Sequence, residues 1–360
     1  MQPKPVIVQK YGGSSVADVA RIRQVAARVV ASVQAGHRVV VVVSAMGNTT
    51  NELLSLAREI SPRPGRRELD LLVSVGERVS MTLLAMAIEE LGLPAASFTG
   101  SQSGIITDEQ HVAAQVIEVR PHRVRRALDE GKVAIVAGFQ GVSRTGEVTT
   151  LGRGGSDTSA VVLAAALGAQ WCELCSDVDG IFSADPRVVP QARRLDVLSL
   201  DAAAALAQAG SRIIAADAVE MARRWGVVLV SSETARPSGS GTHLPPGPVP
   251  LAVVGIACDG EVLWLPDARP EAEGAVIAWI PGLGVLVDGR NLHGVLSGRE
   301  VARVSAVGRG LVASPRQVAR ALEAVPGRLG WWATGEVLSV IVERAEAGEA
   351  QRALYGAVMG

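Results

Sequence analysis

The chain has 360 residues, 48% of them hydrophobic and 20% charged, and a formal net charge of −1. That length favours two domains, and the apolar share supports a sizeable core. Near-neutrality excludes a global basic field for nucleic acid or an anionic membrane surface, so a small discrete ligand is the default partner. The cysteines, Cys172, Cys175 and Cys258, are scattered, which argues for a reducing compartment rather than a disulfide scaffold. The start has no signal-peptide layout, and the apolar runs read as too short to span a bilayer, so a cytoplasmic protein is expected.

Residues up to about 230 alternate strand-like and helix-like stretches, the pattern of an α/β domain. Val6–Gln9 is a β-rich run. It turns at Gly12-Gly13-Ser14-Ser15 into an amphipathic helix carrying Val19, Ile22, Val25, Val29 and Val33, which ends at Gly36. Val39–Val43 is unbroken and β-branched, as a strand buried on both faces requires, and it breaks at Ser44-Ala45-Met46-Gly47. A long helix is expected over Glu68–Leu91. Buried strands are expected over Val133–Ala137, ending at Gly138-Phe139, and over Trp171–Cys175, ending at Ser176-Asp177. Helices around Leu200–Ala209 and Ala215–Trp225 precede a strand at Val227–Val230.

Residues 234–250 are rich in Pro, Gly, Ser and Thr and read as a linker. Beyond them Val301–Val307, Arg316–Ala324, Gly335–Val342 and Glu349–Ala357 read as strand, helix, strand and helix, with a short strand at Gly330–Trp332. This is a small α+β module without a catalytic cluster.

In open α/β sheets ligands sit beyond the carboxyl ends of the strands. Polar or glycine-rich residues follow five such ends: Lys10–Ser15, Ser44–Thr50, Gly138–Gly141, the loop around Arg153, and Ser176–Arg187. At Lys10-Tyr11-Gly12-Gly13-Ser14-Ser15 two glycines permit close backbone approach, a helix start offers free N–H groups, and Lys10 adds a full charge. The plain alternative is a tight turn with a surface lysine. Neither GxxxxGK[ST] nor GxGxxG is present, so a phosphate site here belongs to another kind of nucleotide binder.

Leu151-Gly152-Arg153-Gly154-Gly155-Ser156-Asp157 also opens a helix. Its arginine can grip a carboxylate with two hydrogen bonds, or simply pair with a nearby acidic side chain. Glu77 shares a helix face with Val73, Met81 and Leu84, and a carboxylate there needs a partner. A substrate ammonium or an internal salt bridge would each serve, and Gly76 beside it leaves room for a ligand. Ser176–Arg187 holds three aspartates without EF-hand spacing, so ligand contacts and ordinary turn chemistry stay open. Cys172 and Cys175, three apart on a strand, would face opposite ways, and no metal site is expected.

Lys10–Val16 (KYGGSSV), Val43–Thr50 (VSAMGNTT), Gly76-Glu77, Gly138-Phe139, Thr149–Asp157 (TTLGRGGSD) and Ser176–Arg187 (SDVDGIFSADPR) resemble the ordered motifs of the aspartate kinases, in the amino acid kinase family. The resemblance runs from about residue 5 to 230. It implies an open αβα sandwich with a mainly parallel sheet, and ATP- and Mg²⁺-dependent phosphorylation of the L-aspartate side-chain carboxylate.

By motif match it implies a substrate pocket of Ser44, Thr50, Glu77, Phe139, Arg153 and Ser156. Arg153 would hold a carboxylate and Glu77 the ammonium. Phosphates would lie against Lys10, Gly12, Gly13 and Ser14, with Asp157 orienting Lys10. The nucleotide would run along Ser176, Asp177, Phe182, Asp185 and Arg187. Phe182 stands where the family usually has tyrosine, and Arg212 replaces a lysine that usually approaches the phosphates. The VRSS strand near 229–232 lacks its arginine.

The implied organisation is a catalytic domain over 1–233, the linker, and an ACT-like regulatory domain over 251–360. Residues 301–360 resemble a second ACT module and 251–300 a shortened first one, without a recognisable effector loop. A homodimer through that domain is implied, with feedback inhibition by lysine or threonine weakened or absent. The alternatives are a kinase for another acidic substrate and a non-catalytic sensor.

Overall fold

The computed structural model describes residues 4–152, 154–211, 214–265, 276–280, 284–289 and 298–360. They form two compact units, Met1–Ile181 with Asp217–Pro246, and Phe182–Ala216 with Gly247–Gly360. The divisions thus fall at 181/182, 216/217 and 246/247.

The first unit opens with β1 (Val6–Tyr11), α1 (Val19–Gln34), β2 (Arg38–Val43), α2 (Thr49–Ile60), α3 (Arg66–Val73) and α4 (Val75–Glu90). Next come β3 (Ala95–Phe98), α5 (Gly100–Ser103), β4 (Ile105–Thr107), β5 (Val116–Val119), α6 (His122–Asp129) and β6 (Val133–Ala137). Then follow β7 (Gln140–Ser143), β8 (Val148–Thr150), α7 (Gly155–Leu167) and β9 (Cys172–Ser176). After α8 (Leu200–Gln208) of the second unit come α9 (Ala216–Trp225), β10 (Leu229–Glu233) and β11 (Thr242–Leu244).

The main sheet has the order β11-β10-β9-β1-β2-β6-β3 and is parallel except for β11. Helices α1 and α4 cover one face and α6 and α7 the other, an αβα sandwich. Double coverage explains the valine runs, since every residue of Val39–Val43 is buried. Side chains alternate across the sheet. Ile7 and Tyr11 enter the core under α1 and α4, which turns Lys10 to the α7 face.

Several expectations change in detail. The glycine turn opens only a single 3₁₀ turn, Gly13–Val16. The long helix starts at Val19, because Asp18 accepts the Arg21 N–H and caps it. The helix expected over Glu68–Leu91 is broken at Ser74, whose carbonyl accepts a hydrogen bond from Gln140 Nε2 instead. By length and composition Arg66–Glu90 is long and apolar enough to cross a membrane, against the expectation for this chain. Its inner face is buried in the fold around Glu77, Ser80, Met81, Leu84 and Ile88. Thr242–Leu244, inside the Pro- and Gly-rich segment, is an edge strand of the main sheet. A small sheet, β5-β4-β7-β8, has no counterpart in the sequence reading.

The second unit continues with β12 (Gly255–Leu265), β13 (Val276–Ile280), β14 (Gly284–Asp288), β15 (Arg299–Val307), α10 (Arg309–Ala313), α11 (Pro315–Glu323), β16 (Gly330–Thr334), β17 (Val337–Glu343) and α12 (Ala347–Met359). Its strands make one antiparallel sheet, β13-β14-β12-β15-β17-β16. Residues 255–288 therefore share a sheet with 299–343. The helices α11 and α12 cover a core of Val304, Ala306, Leu338, Val340 and Leu354.

One buried ion pair ties the first unit together. Arg28 of α1 meets Glu173 of β9 at 2.9 Å, with both side chains almost fully buried. Tyr11 Oη and Cys175 Sγ take the other guanidinium nitrogen, while Ser232, Ser238 and the Gly239 N–H donate to Glu173. Burial alone would raise the Glu173 pKa; Arg28 and these donors outweigh it and hold the carboxyl below its usual range.

A depressed folded-state pKa gives stability that is present above the unfolded value of about 4.3 and lost as pH falls below it. Arg28→Ala leaves Glu173 charged and unpaired, so urea unfolding at pH 7 should show a loss of about 3–5 kcal/mol. The difference between the two proteins should narrow at acid pH as Glu173 is protonated.

Candidate active site

Strand register sets the site. Tyr11 of β1 lies level with Val43 of β2 and Cys175 of β9, and Val43 lies level with Ala137 of β6. The polypeptide therefore leaves the sheet four times along one edge, at Gly12, Ser44, Gly138 and Asp177. Backbone bonds stitch these exits together: Ser44 N–H donates to Tyr11 O, Gly138 N–H to Val43 O, and Gly47 N–H to Gly13 O. A Cβ on Gly13 would come within 3.0–3.1 Å of the carbonyls of Ala45 and Gly47, which is why glycine stands there.

A cavity of ≈ 810 Å³ opens on this edge. Lys10, Gly13, Ser44, Thr50, Glu77, Phe139, Ser156 and Asp157 line it, all of them picked out by the sequence. Gly12 is adjacent, since a Cβ on it would sit 3.6 Å from Lys10 Nζ. Ser14 lies on the exposed side of the 3₁₀ turn. Arg153 and Arg212 lie outside the described residues. Gly152 and Gly154, which flank Arg153 in the chain, line the cavity in left-handed conformations at φ +75° and +72°.

The α7 start carries Ser156 and Asp157 into the site. Gly155 is needed because a Cβ there would meet Leu151 and Phe139 at 2.9–3.0 Å. Phe139 itself has φ +67° and is pinned by its N–H to Ser159 Oγ and its carbonyl to the Leu151 N–H. Lys10 Nζ reaches Asp157 Oδ1 at 2.7 Å as an ion pair whose angle lies outside hydrogen-bond geometry.

Glu77 is different. It is 3% exposed, Oε1 accepts the Ala45 N–H at 3.2 Å, and Oε2 is buried with no hydrogen-bond partner. Among the described residues no cation pairs with it. Burial pushes its carboxyl up to about 7, against the backbone hydrogen bonds that lower it. The site thus holds a buried carboxylate ready for a positive group and, near it, an ammonium at a glycine-rich turn suited to anions.

Ser176 ends β9 and Asp177 follows it at the same sheet edge, but neither lines this cavity; Ser176 Oγ accepts the Val178 N–H. In the second unit Asp185 and Arg187 bind each other through two side-chain contacts, at 3.0 and 2.8 Å, with the Arg187 side chain 88% exposed. Phe182 bridges to Arg194 by backbone pairing.

The sequence reading gives no site role to Asp70, His111, Thr150, Asn51 or Leu54. Asp70, Thr150, Asn51 and Leu54 also line the cavity, and Asp70 contacts His111. A signal for Asp70 was available: with Val73 and Glu77 it forms a stripe at spacings of three and four.

Residues 5–230 match the amino acid kinase family, well over half the chain. The chain belongs to that family. Relatives within it include aspartokinases. It is 58% identical over 223 residues to the aspartokinase of Mycolicibacterium smegmatis, which covers 62% of this chain and 53% of that one. The chain thus spans about half the length of that curated relative. It is 40% identical to the aspartokinase of Thermus thermophilus over 98% of both chains. The solved aspartate kinase from Synechocystis shares the fold at a TM-score of 0.61 and 33% identity, covering 98% of this chain and 69% of that one.

A carboxyl whose folded pKa is about 7 and whose unfolded pKa is about 4.3 costs stability as pH rises between those values, and no more above them. Unfolding of the free protein and of Glu77→Gln should therefore match near pH 4.5. By pH 8 the glutamine variant should be roughly 3 kcal/mol the more stable. A pH-independent difference between the two would show that Glu77 is already paired.

Proposed function

We propose that the protein transfers the γ-phosphoryl group of ATP to the side-chain carboxylate of L-aspartate, giving 4-phospho-L-aspartate and ADP. This is the first step toward lysine, threonine and methionine. The single observation that carries the reading is the Glu77 carboxylate, paired with no cation among the described residues and with Oε2 unbonded, in the same cavity as Lys10 and its glycine turn. An amino acid bearing both an ammonium and a carboxylate near a phosphate site meets both requirements. The names of the relatives support the same substrate.

The nucleophile is already ionised at neutral pH, so the site requires no general base. Its task is to bring two anions together and stabilise the moving charge. Lys10 neutralises phosphate oxygens above Gly12 and Gly13, and Asp157 holds the ammonium of Lys10 in place. Glu77 takes the substrate ammonium and Arg153 its carboxylate, while Ser44, Thr50, Phe139 and Ser156 close the pocket around the amino acid. The Asp157 carboxylate is a hard oxygen donor of the class that suits Mg²⁺; its Oδ1 is held by Lys10 at 2.7 Å, so Oδ2 would be the oxygen left for the ion. When bound, Mg²⁺ spreads the negative charge of the phosphates. Roles for Ser14, Ser176, Asp177, Phe182, Asp185, Arg187 and Arg212 at the nucleotide follow the resemblance, as does a homodimer through residues 251–360; a cytoplasmic location is proposed from the sparse cysteines.

A hydroxamate assay with ATP and Mg²⁺ should give signal with L-aspartate and not with L-glutamate or N-acetylglutamate, whose blocked nitrogen offers Glu77 no charge. Lys10→Ala should lower kcat by about 100-fold or more. Arg153→Ala should raise the aspartate KM or lower kcat by about tenfold or more. No product with any of the three acids would overturn the reading.

A further inference from the structure

We propose that Asp70 is a positioning residue for the substrate cavity: it holds residues 108–115 against the glycine-rich loop that carries Arg153, and thereby sets the affinity for the amino acid. The inference rests on the aspartate reading above.

Asp70 is fully buried on α3, yet lines the cavity. Its carboxylate gathers groups from two other segments. Thr150 Oγ1, at the end of β8, donates to Oδ1 at 2.6 Å. The Val112 N–H reaches both oxygens, at 3.0 and 3.2 Å, and His111 Nδ1 lies 2.6 Å from Oδ2. The carboxylate is thus occupied by the protein and acts on the ligand only through what it holds.

What it holds is strained. Val112 has φ +76°, a left-handed conformation that a β-branched residue adopts only when its surroundings force it. The segment closes on itself, with Asp108 Oδ1 accepting the N–H groups of Gln110 and Gln115. Ala114 N–H donates to Thr150 O, so Thr150 is tied to Asp70 by its side chain and to the segment by its backbone. The outcome is close packing at the cavity rim: a Cβ on Gly152 would lie 3.4 Å from Val112 O. Val112, Thr150 and Gly152 all line the cavity, and Arg153 is the next residue in the chain. Asp70 is the point where α3, the strained segment and the strand feeding the glycine-rich loop are joined.

Asp70→Asn cannot accept all these donors. It should raise the aspartate KM by about tenfold while the ATP KM stays within about twofold. Thr150→Val, which leaves Asp70 in place, should show the same split at about threefold. Val112→Gly removes the strain that Asp70 restrains, so in that background the Asp70→Asn effect on the aspartate KM should shrink by about threefold or more.

An unchanged aspartate KM, a rise of both KM values together, or strict additivity with Val112→Gly would overturn the proposal. Hydrogen exchange of the amides in 108–115 separates it from the activity reading. If the parent protein fails to phosphorylate aspartate, the functional reading fails, and exchange decides alone: faster exchange in Asp70→Asn or Thr150→Val supports the positioning role, and unchanged exchange overturns it.

Discussion

Four parallel strands reach the same level at Tyr11, Val43, Ala137 and Cys175, and the site follows from that register. Because β1, β2, β6 and β9 run the same way, their loops emerge along one edge of the sheet. Because side chains alternate along β1, Lys10 points to the α7 face while Gln9 and Tyr11 point to the α1 face. The sheet thereby delivers an ammonium to Asp157 on one side. On the other it builds the buried Arg28–Glu173 pair. A one-residue slip of β1 would exchange these environments and remove both.

The charges around the cavity are arranged by burial rather than by number. Arg28 and Glu173 satisfy each other and seven further groups, and so serve the fold. Glu77 has a single backbone donor and an oxygen with none, a costly arrangement unless a ligand completes it. Gly76 brings its helix close to the Ser44–Gly47 loop, where a Cβ would meet the Ala45 side chain at 2.7 Å. The glycine that weakens the helix therefore keeps Glu77 within reach of the strand ends.

Much of this was legible in the chain. β1, β2, β6 and β9 announce themselves because burial on both faces demands continuous apolar runs, and the polar and glycine residues at the ends of β1, β2 and β6 mark the cavity. Glu77 stood out as a carboxylate in an apolar stripe. What stayed hidden depends on partners distant in sequence. The break at Ser74 is made by Gln140, 66 residues away, and Asp70 meets His111 across 41. The strands β4, β5, β7 and β8 have only three or four residues each, too few for a period to emerge. Thr242–Leu244 pairs as a strand within a segment whose Pro and Gly content reads as loop. The start of α1 was misplaced because Asp18 was overlooked beside a conspicuous glycine turn.

The central claim is that Glu77, whose carboxyl burial pushes up to about 7 in the free protein, ionises when an amino acid ammonium settles against it. Calorimetry of L-aspartate binding at pH 7, repeated in buffers of different ionisation enthalpy, reads this directly. Aspartate binding should release protons in the parent protein and none in Glu77→Gln. Binding without proton release in the parent protein, or equal release in both, would contradict it.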